Sequence, residues 1–176
     1  MSTSDKAAPM AAAPLKYLSD GRVDWGNMWD SFCALPRDGG PAHRPDLLEP
    51  DEQADPADPQ YQAVVREICR GISAVSGLPA EPAQPGWVAL HCEKPGMAGW
   101  LAEAIVAEGV RARIYGDSLQ VPAAAHYRIN AEIKSVITVV AKTTHYWVEH
   151  LPSDVKRALA VQARLQSLWG LVRGRR

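Results

Sequence analysis

Two stretches of this chain hold residues of the kinds that move protons, attack carbonyls or bind metals. In WGNMWDSFCALPRDGGPAHR, Asp30, Cys33, His43 and Arg44 would supply a general base, a thiol nucleophile and an anion-binding guanidinium if the Gly39-Gly40 turn folds the loop back. Further on, His145 and Glu149 stand four residues apart and face the same way as Lys142. That spacing puts two metal ligands, or an imidazole and the carboxylate that orients it, on one helical face.

Each set also has a plainer reading. Cys33 shares the apolar face of its helix with Trp29 and Phe32, where a thiol acts as a small hydrophobe and burial keeps it unreactive. His145 and Glu149 equally make a surface pair of about 0.2–0.5 kcal/mol. A metal needs a third and fourth ligand that the sequence does not pair with them. His150 should point well around the helix from His145, and His91 and Cys92 point to opposite faces of a strand. The plainer readings are preferred, so no metal and no cofactor is expected.

A third set suits contact better than reaction. Trp87, His91, Arg111, Arg113, Tyr115 and Gln120, with Ala89 and Ser118, fall on one face of a small sheet by strand alternation. Such a face is often simply wet. Two arginines, a histidine and two large aromatics are nevertheless the types concentrated at interfaces, and they fit a peptide or a polar anionic ligand.

These residues depend on the elements that carry them. The longest pattern runs from His126 to Leu151, where Ile129, Ile133, Val136, Ile137, Val140, Thr144, Trp147, Val148 and Leu151 recur at helical spacing until Pro152. Before it lie a strand at 87–92, a helix at about 96–108 and strands at 110–115 and 118–121. Gly116-Asp117 forms a two-residue hairpin turn that sets Ile114 opposite Leu119 and Arg113 opposite Gln120. Val88, Leu90, Cys92, Val110, Ala112, Ile114, Leu119 and Val121 then share the opposite face, which is the expected core.

The expected organisation is a disordered tail at 1–20 and a single α+β domain at 21–176. Within the domain come a short helix (23–36) with Asp24 as N-cap, an acidic linker (49–59), a helix (60–76) closed by Gly77, the β-α-β-β unit (87–122), the long helix (127–151) and a C-terminal helix (153–172). The fold class is a two-layer sandwich, with helices packed on one face of a small three-stranded mixed sheet.

Composition narrows the function classes. The chain has 176 residues, 47% apolar and 22% charged, with a net charge of -1, which gives no global attraction to nucleic acid. Charge is uneven: 49–58 holds five acids and no base, and 153–176 holds six Lys/Arg against Asp154. A linker and a solvated tail are the plain reading. Cys33, Cys69 and Cys92 are too few and too widely spaced for a disulfide framework, so a cytoplasmic location is expected. There is no secretory pattern at the start and no uninterrupted apolar run of about 18 residues. Dinucleotide, P-loop, serine-hydrolase, zincin and EF-hand motifs are absent from the sequence.

The resulting expectation is a non-enzymatic binding or scaffold protein, a homodimer with no membrane partner. It would hold a peptide, a protein or a small anionic ligand on the polar sheet face and an exposed strand edge. The alternative is a small metal-dependent or acid-base enzyme using Cys33, His43, His145 and Glu149. Nucleic-acid binding through Arg173, Arg175 and Arg176 is the weakest reading.

Overall fold

The computed structural model describes residues 15–28, 47–94 and 96–173. Cys33, His43, Asp30, Arg44 and the 23–36 helix beyond Met28 therefore lie outside the described residues. The described part is α+β, with four helices and a four-stranded sheet. Helix α1 (Pro59–Ser76) starts where Asp58 accepts the Gln60 N–H at 2.9 Å and Pro59 presets the first turn. It buries Tyr61, Val64, Val65, Ile68 and Ile72. The chain continues as β1 (Ala80–Pro82), β2 (Trp87–Leu90), α2 (Met97–Ala107), β3 (Arg113–Tyr115) and β4 (Ser118–Pro122).

The hairpin register is as read from the sequence, with Arg113 opposite Gln120, Ile114 opposite Leu119 and Tyr115 opposite Ser118. Gly116 sits at φ +58°, which both primed two-residue turns require and which other residues adopt only at a cost. The sheet corrects the expectation in two ways. It has four strands in the order β1-β2-β4-β3, and every neighbouring pair is antiparallel. β4 inserts between β2 and β3, so the strands joined through α2 are not neighbours and no parallel pair forms. The extra strand, β1, has three residues and ends in proline.

Val88, Leu90, Val110, Leu119 and Val121 are buried in one cluster with the apolar faces of α1, α2 and the long helix, as expected for the core face. Ile114 departs from the expectation. It is on the core side, yet at the edge strand it remains 47% exposed.

The long helix, α3, occupies 129–150 in three stretches: a π turn at Ile129–Ile133, an α-helix at Lys134–His145 and a second π turn at Tyr146–His150. From Lys134 to Ala141 every residue is buried, so that stretch is enclosed on all sides, while Lys142 and Glu149 of the polar stripe are exposed. Lys134 is only 2% exposed, and desolvation holds its ammonium below the ordinary lysine range. The long helix packs tightly on α1 at Gly71, where an added Cβ would lie 2.2 Å from Ile137 Cδ1. Helix α4 (Ser153–Arg173) follows Pro152 and packs against α2. No helix among the described residues is long and apolar enough to cross a membrane.

Residues 15–20, expected within the tail, are tied to the domain. Tyr17 bridges to Val23, and Leu15 packs against the core. Asp24 caps the turn Gly26–Met28 through the Asn27 N–H. Trp25 is buried, and its indole N–H donates to Glu67 at 2.8 Å. Arg70 donates to both Glu67 oxygens and to the Val23 carbonyl, closing the clamp on α1.

Burial pushes the Glu67 carboxyl up, but hydrogen bonds from Arg70 and Trp25 outweigh it and leave it below the ordinary 4.5. A depressed folded value stabilises the protein fully above pH 4.5 and is lost as pH falls through the folded value. Urea midpoints should therefore drop more steeply below pH 4.5 in the wild type than in Glu67→Gln. At pH 7 the variant should be less stable by about 1–3 kcal/mol. Parallel acid limbs would refute this role.

Candidate functional site

The sheet face away from the helices is crossed by the acidic segment, and each of its five acids has a structural partner. Glu49 receives Arg111 Nε at 2.9 Å, and Asp51 accepts the Gln53 N–H. Glu52 reaches the sheet face, Asp55 accepts the Ala57 N–H, and Asp58 caps α1. Leu48 bridges to Val110, and the Asp51 N–H bonds the Ala123 carbonyl. The 49–59 segment is thus a strap laid along the domain.

Glu52 Oε1 is where the strap meets the face. It accepts the Trp87 indole N–H at 2.9 Å and Arg113 Nη1 at 3.0 Å. The Arg113 guanidinium lies 3.9 Å from the centre of the Trp87 ring, a stacked cation on an aromatic face. Its Nε donates to Gln120 Oε1 at 2.9 Å, and Gln120 Nε2 donates to Gln84 Oε1 at 2.8 Å. Trp87 and Gln120 are therefore buried, 3% and 2% exposed, on a face read as either wet or ligand-facing. Both belong to a satisfied polar network outside the main core.

What remains open is a cleft of about 390 Å³ lined by Glu49, Pro50, Glu52, Trp87, Arg111 and Arg113. The structure brings Trp87, Arg111 and Arg113 together there, with Gln120 beneath. Tyr115 stands at the rim, 56% exposed, with its ring 5.5 Å from the Arg113 guanidinium. His91 does not line the cleft; it pairs with Glu81 of β1 at 2.8 Å. Both cleft arginines carry carboxylates. Hydrogen bonding from Arg111, partly opposed by desolvation, holds the Glu49 carboxyl below its ordinary range. That pair is half exposed, and solvent screens it.

Glu49, Glu52 and Gln84 are the residues that sequence reasoning missed. A signal was available: an acidic run without bases has to find cations elsewhere, and Arg111 and Arg113 were two within one strand.

The second candidate, on α3, is a cleft of about 200 Å³ lined by Val75, Ser76, Thr144, His145, Val148 and Glu149. Lys142 has turned to Glu108, at 2.6 Å. The expectation for His150 is overturned, because its ring centre is 5.2 Å from that of His145. Five residues along an α-helix would separate the two by about 140°. Here the Leu151 N–H bonds the Tyr146 carbonyl, an i→i+5 bond, and the wider turn brings His150 back beneath His145. Even so, among the described residues no group of three or more His, Cys, Asp or Glu could hold a metal ion. Burial pushes the thiols of Cys69 and Cys92 up to about 11, far from the reactive range.

No family model, curated protein or solved structure matches the chain.

The strap depends on Gly86. It lies at φ +86°, and an added Cβ would sit 2.8 Å from the backbone of Asp51. Neither the φ nor a backbone clash is easily relieved, so Gly86→Ala should lower stability by at least about 2 kcal/mol in urea. It should also expose Trp87 to quenching by iodide. A variant with wild-type stability and quenching would show that the strap is not held there.

Proposed function

We propose that this is a non-enzymatic binding or scaffold protein that recognises an extended peptide or protein segment at the β3 edge and the adjoining polar face. The observation that carries the reading is the hydrogen-bonding phase of β3. A two-residue turn closes on a hydrogen-bonded pair, here Tyr115 and Ser118, so Arg113 and Gln120 form the next such pair. Ile114 lies between them, and its N–H and C=O point away from β4.

The remaining ladders support this phase. His91 N–H bonds the Pro79 carbonyl and Ala83 N–H bonds the Trp87 carbonyl, which turns residues 87, 89 and 91 toward β1. Residues 88 and 90 then face β4, where 119 and 121 meet them, and 118 and 120 face β3. Edge strands with outward donors and acceptors accept added strands. The neighbouring Tyr115, Arg111 and Arg113 offer contacts to alternate side chains of such a segment.

A small anion is the weaker candidate, because it would have to displace Glu49 from Arg111 or Glu52 from Arg113. A peptide bonding through its backbone displaces neither. The proposed location is the cytoplasm, supported by the free thiols of Cys69 and Cys92.

Panning a displayed library of extended peptides against the full chain tests this. Selected peptides should bind Ile114→Pro about tenfold or more weakly by fluorescence anisotropy. Proline at 114 removes an outward N–H and leaves the β3–β4 bonds in place. Undiminished affinity in that variant would remove β3 from the site.

A further inference from the structure

We propose that the β3 edge pairs with the same edge of a second copy of this chain, about a twofold axis through Ile114, joining two four-stranded sheets into one of eight. The proposal rests on the reading of β3 as the recognition edge and names an occupant for it. With the axis at Ile114, the two Ile114 residues exchange both backbone hydrogen bonds. Residue 113 then faces 115 of the copy, and residue 112 faces 116.

Three features make this edge complementary to itself, as a twofold interface requires. The first is chemical. Arg113 of each copy would lie beside Tyr115 of the other, a cation against an aromatic face, formed twice by symmetry. Within one copy these two groups are already neighbours on the polar face, with the guanidinium 5.5 Å from the ring.

The second is apolar. Ile114, half exposed on the core side, would meet its own counterpart, covering two side chains that the helices leave open.

The third is length. On one side Leu48 pairs at Val110 through the Gly109 carbonyl at 2.9 Å and the Arg111 N–H at 3.0 Å. The Arg111 N–H shares the phase of 113 and 115 and faces the β4 side, so the outward groups of 112 and 114 stay clear of Leu48. On the other side the chain turns away at Gly116-Asp117. Pairing about Ile114 therefore runs over 112–116, two residues on each side, and stops where the hairpin tip of the copy turns away.

The opposite edge is less suited. In β1 the same phase turns Ala80 and Pro82 outward, and Pro82 has no N–H to give. Five paired residues per copy make a small interface, so dissociation in about the micromolar range is expected. A twofold axis perpendicular to the joined sheet would set the two polar faces side by side. A peptide adding to β3 would then compete with the second copy, so its apparent affinity would fall as protein concentration rises.

Sedimentation equilibrium of the full chain from about 1 to 500 μM should give a monomer–dimer equilibrium. Ile114→Pro and Ile114→Lys should each weaken it about tenfold or more, while Leu165→Glu, on the exposed face of α4, should leave it unchanged. A positive test uses Ile114→Cys. Opposed Cα atoms of a hydrogen-bonded pair lie about 5.5 Å apart, within disulfide reach, so oxidation should yield a covalent dimer linked 114 to 114 by mass mapping. A monomer at every concentration, or a dimer insensitive to both Ile114 changes but broken by Leu165→Glu, overturns the proposal. If the wild type is monomeric while selected peptides still need Ile114, the dimer fails and the peptide-binding reading stands.

Discussion

The carboxylate of Glu52 holds together the side of the molecule that the helices do not cover. Trp87 begins β2 on that face, and its indole N–H, once buried, needs an acceptor. Glu52 provides it and in doing so brings a negative charge to the edge of the aromatic ring. Arg113 balances the charge, stacks on the same ring and passes the network through Gln120 to Gln84. A buried indole without its acceptor would be costly, and Glu52, itself 56% exposed, is held at that acceptor position by Arg113, so the three groups support one another. The course of the strap follows. Residues 49–52 have to run close along the sheet, which only glycine at 86 permits.

This network also changes the meaning of the arginines. On sequence they are two free cations on a strand, available to an anion. In the fold they are internal counterions, already hydrogen-bonded to Glu49 and Glu52, and the cleft they line carries as many acids as bases. The recognition proposed for this face would have to come from shape, backbone bonding and the exposed aromatic rim, since net charge supplies little attraction. That is why the edge of β3 carries more weight than the guanidinium pair.

Legibility from sequence followed the range of each physical signal. The hairpin was readable because Gly116-Asp117 fixes a register locally and alternation then assigns every side chain to a face. The helices were readable from their apolar period and caps. β1 was not: it is three residues long, contains Pro82 and pairs only because that proline turns its missing N–H outward. The strap was read as a linker because a run of acids does not say where its cations are. The two π turns of α3 were invisible as well, and one of them reversed the relation of His145 to His150. The polar residues of α3 were harder still. Nothing in the sequence marks Lys134, Ser135 and Thr138 as enclosed, yet 134–141 is buried throughout, and the Thr138, Thr144 and Trp147 polar atoms are buried without a hydrogen-bond partner.

The two edges of the sheet show how the same chemistry has been resolved in opposite ways. At β1, the phase of the ladder turns a proline to the outside, so one of the groups that could template another strand is missing. At β3 no proline or lysine stands at the outward position, and an isoleucine is left half exposed. Natural sheets generally blunt such an edge. In a chain that protects one edge and leaves the other open, with Tyr115 and Arg113 alternating beside the open groups, the strand order would set the direction of the docking proposed for β3. Strand β4 sits between β2 and β3, so the open edge falls next to the Trp87–Arg113 cleft and not on the far side by His91. Edge and cleft therefore form one continuous surface, and whatever adds to β3 lies against the polar network that Glu52 holds in place.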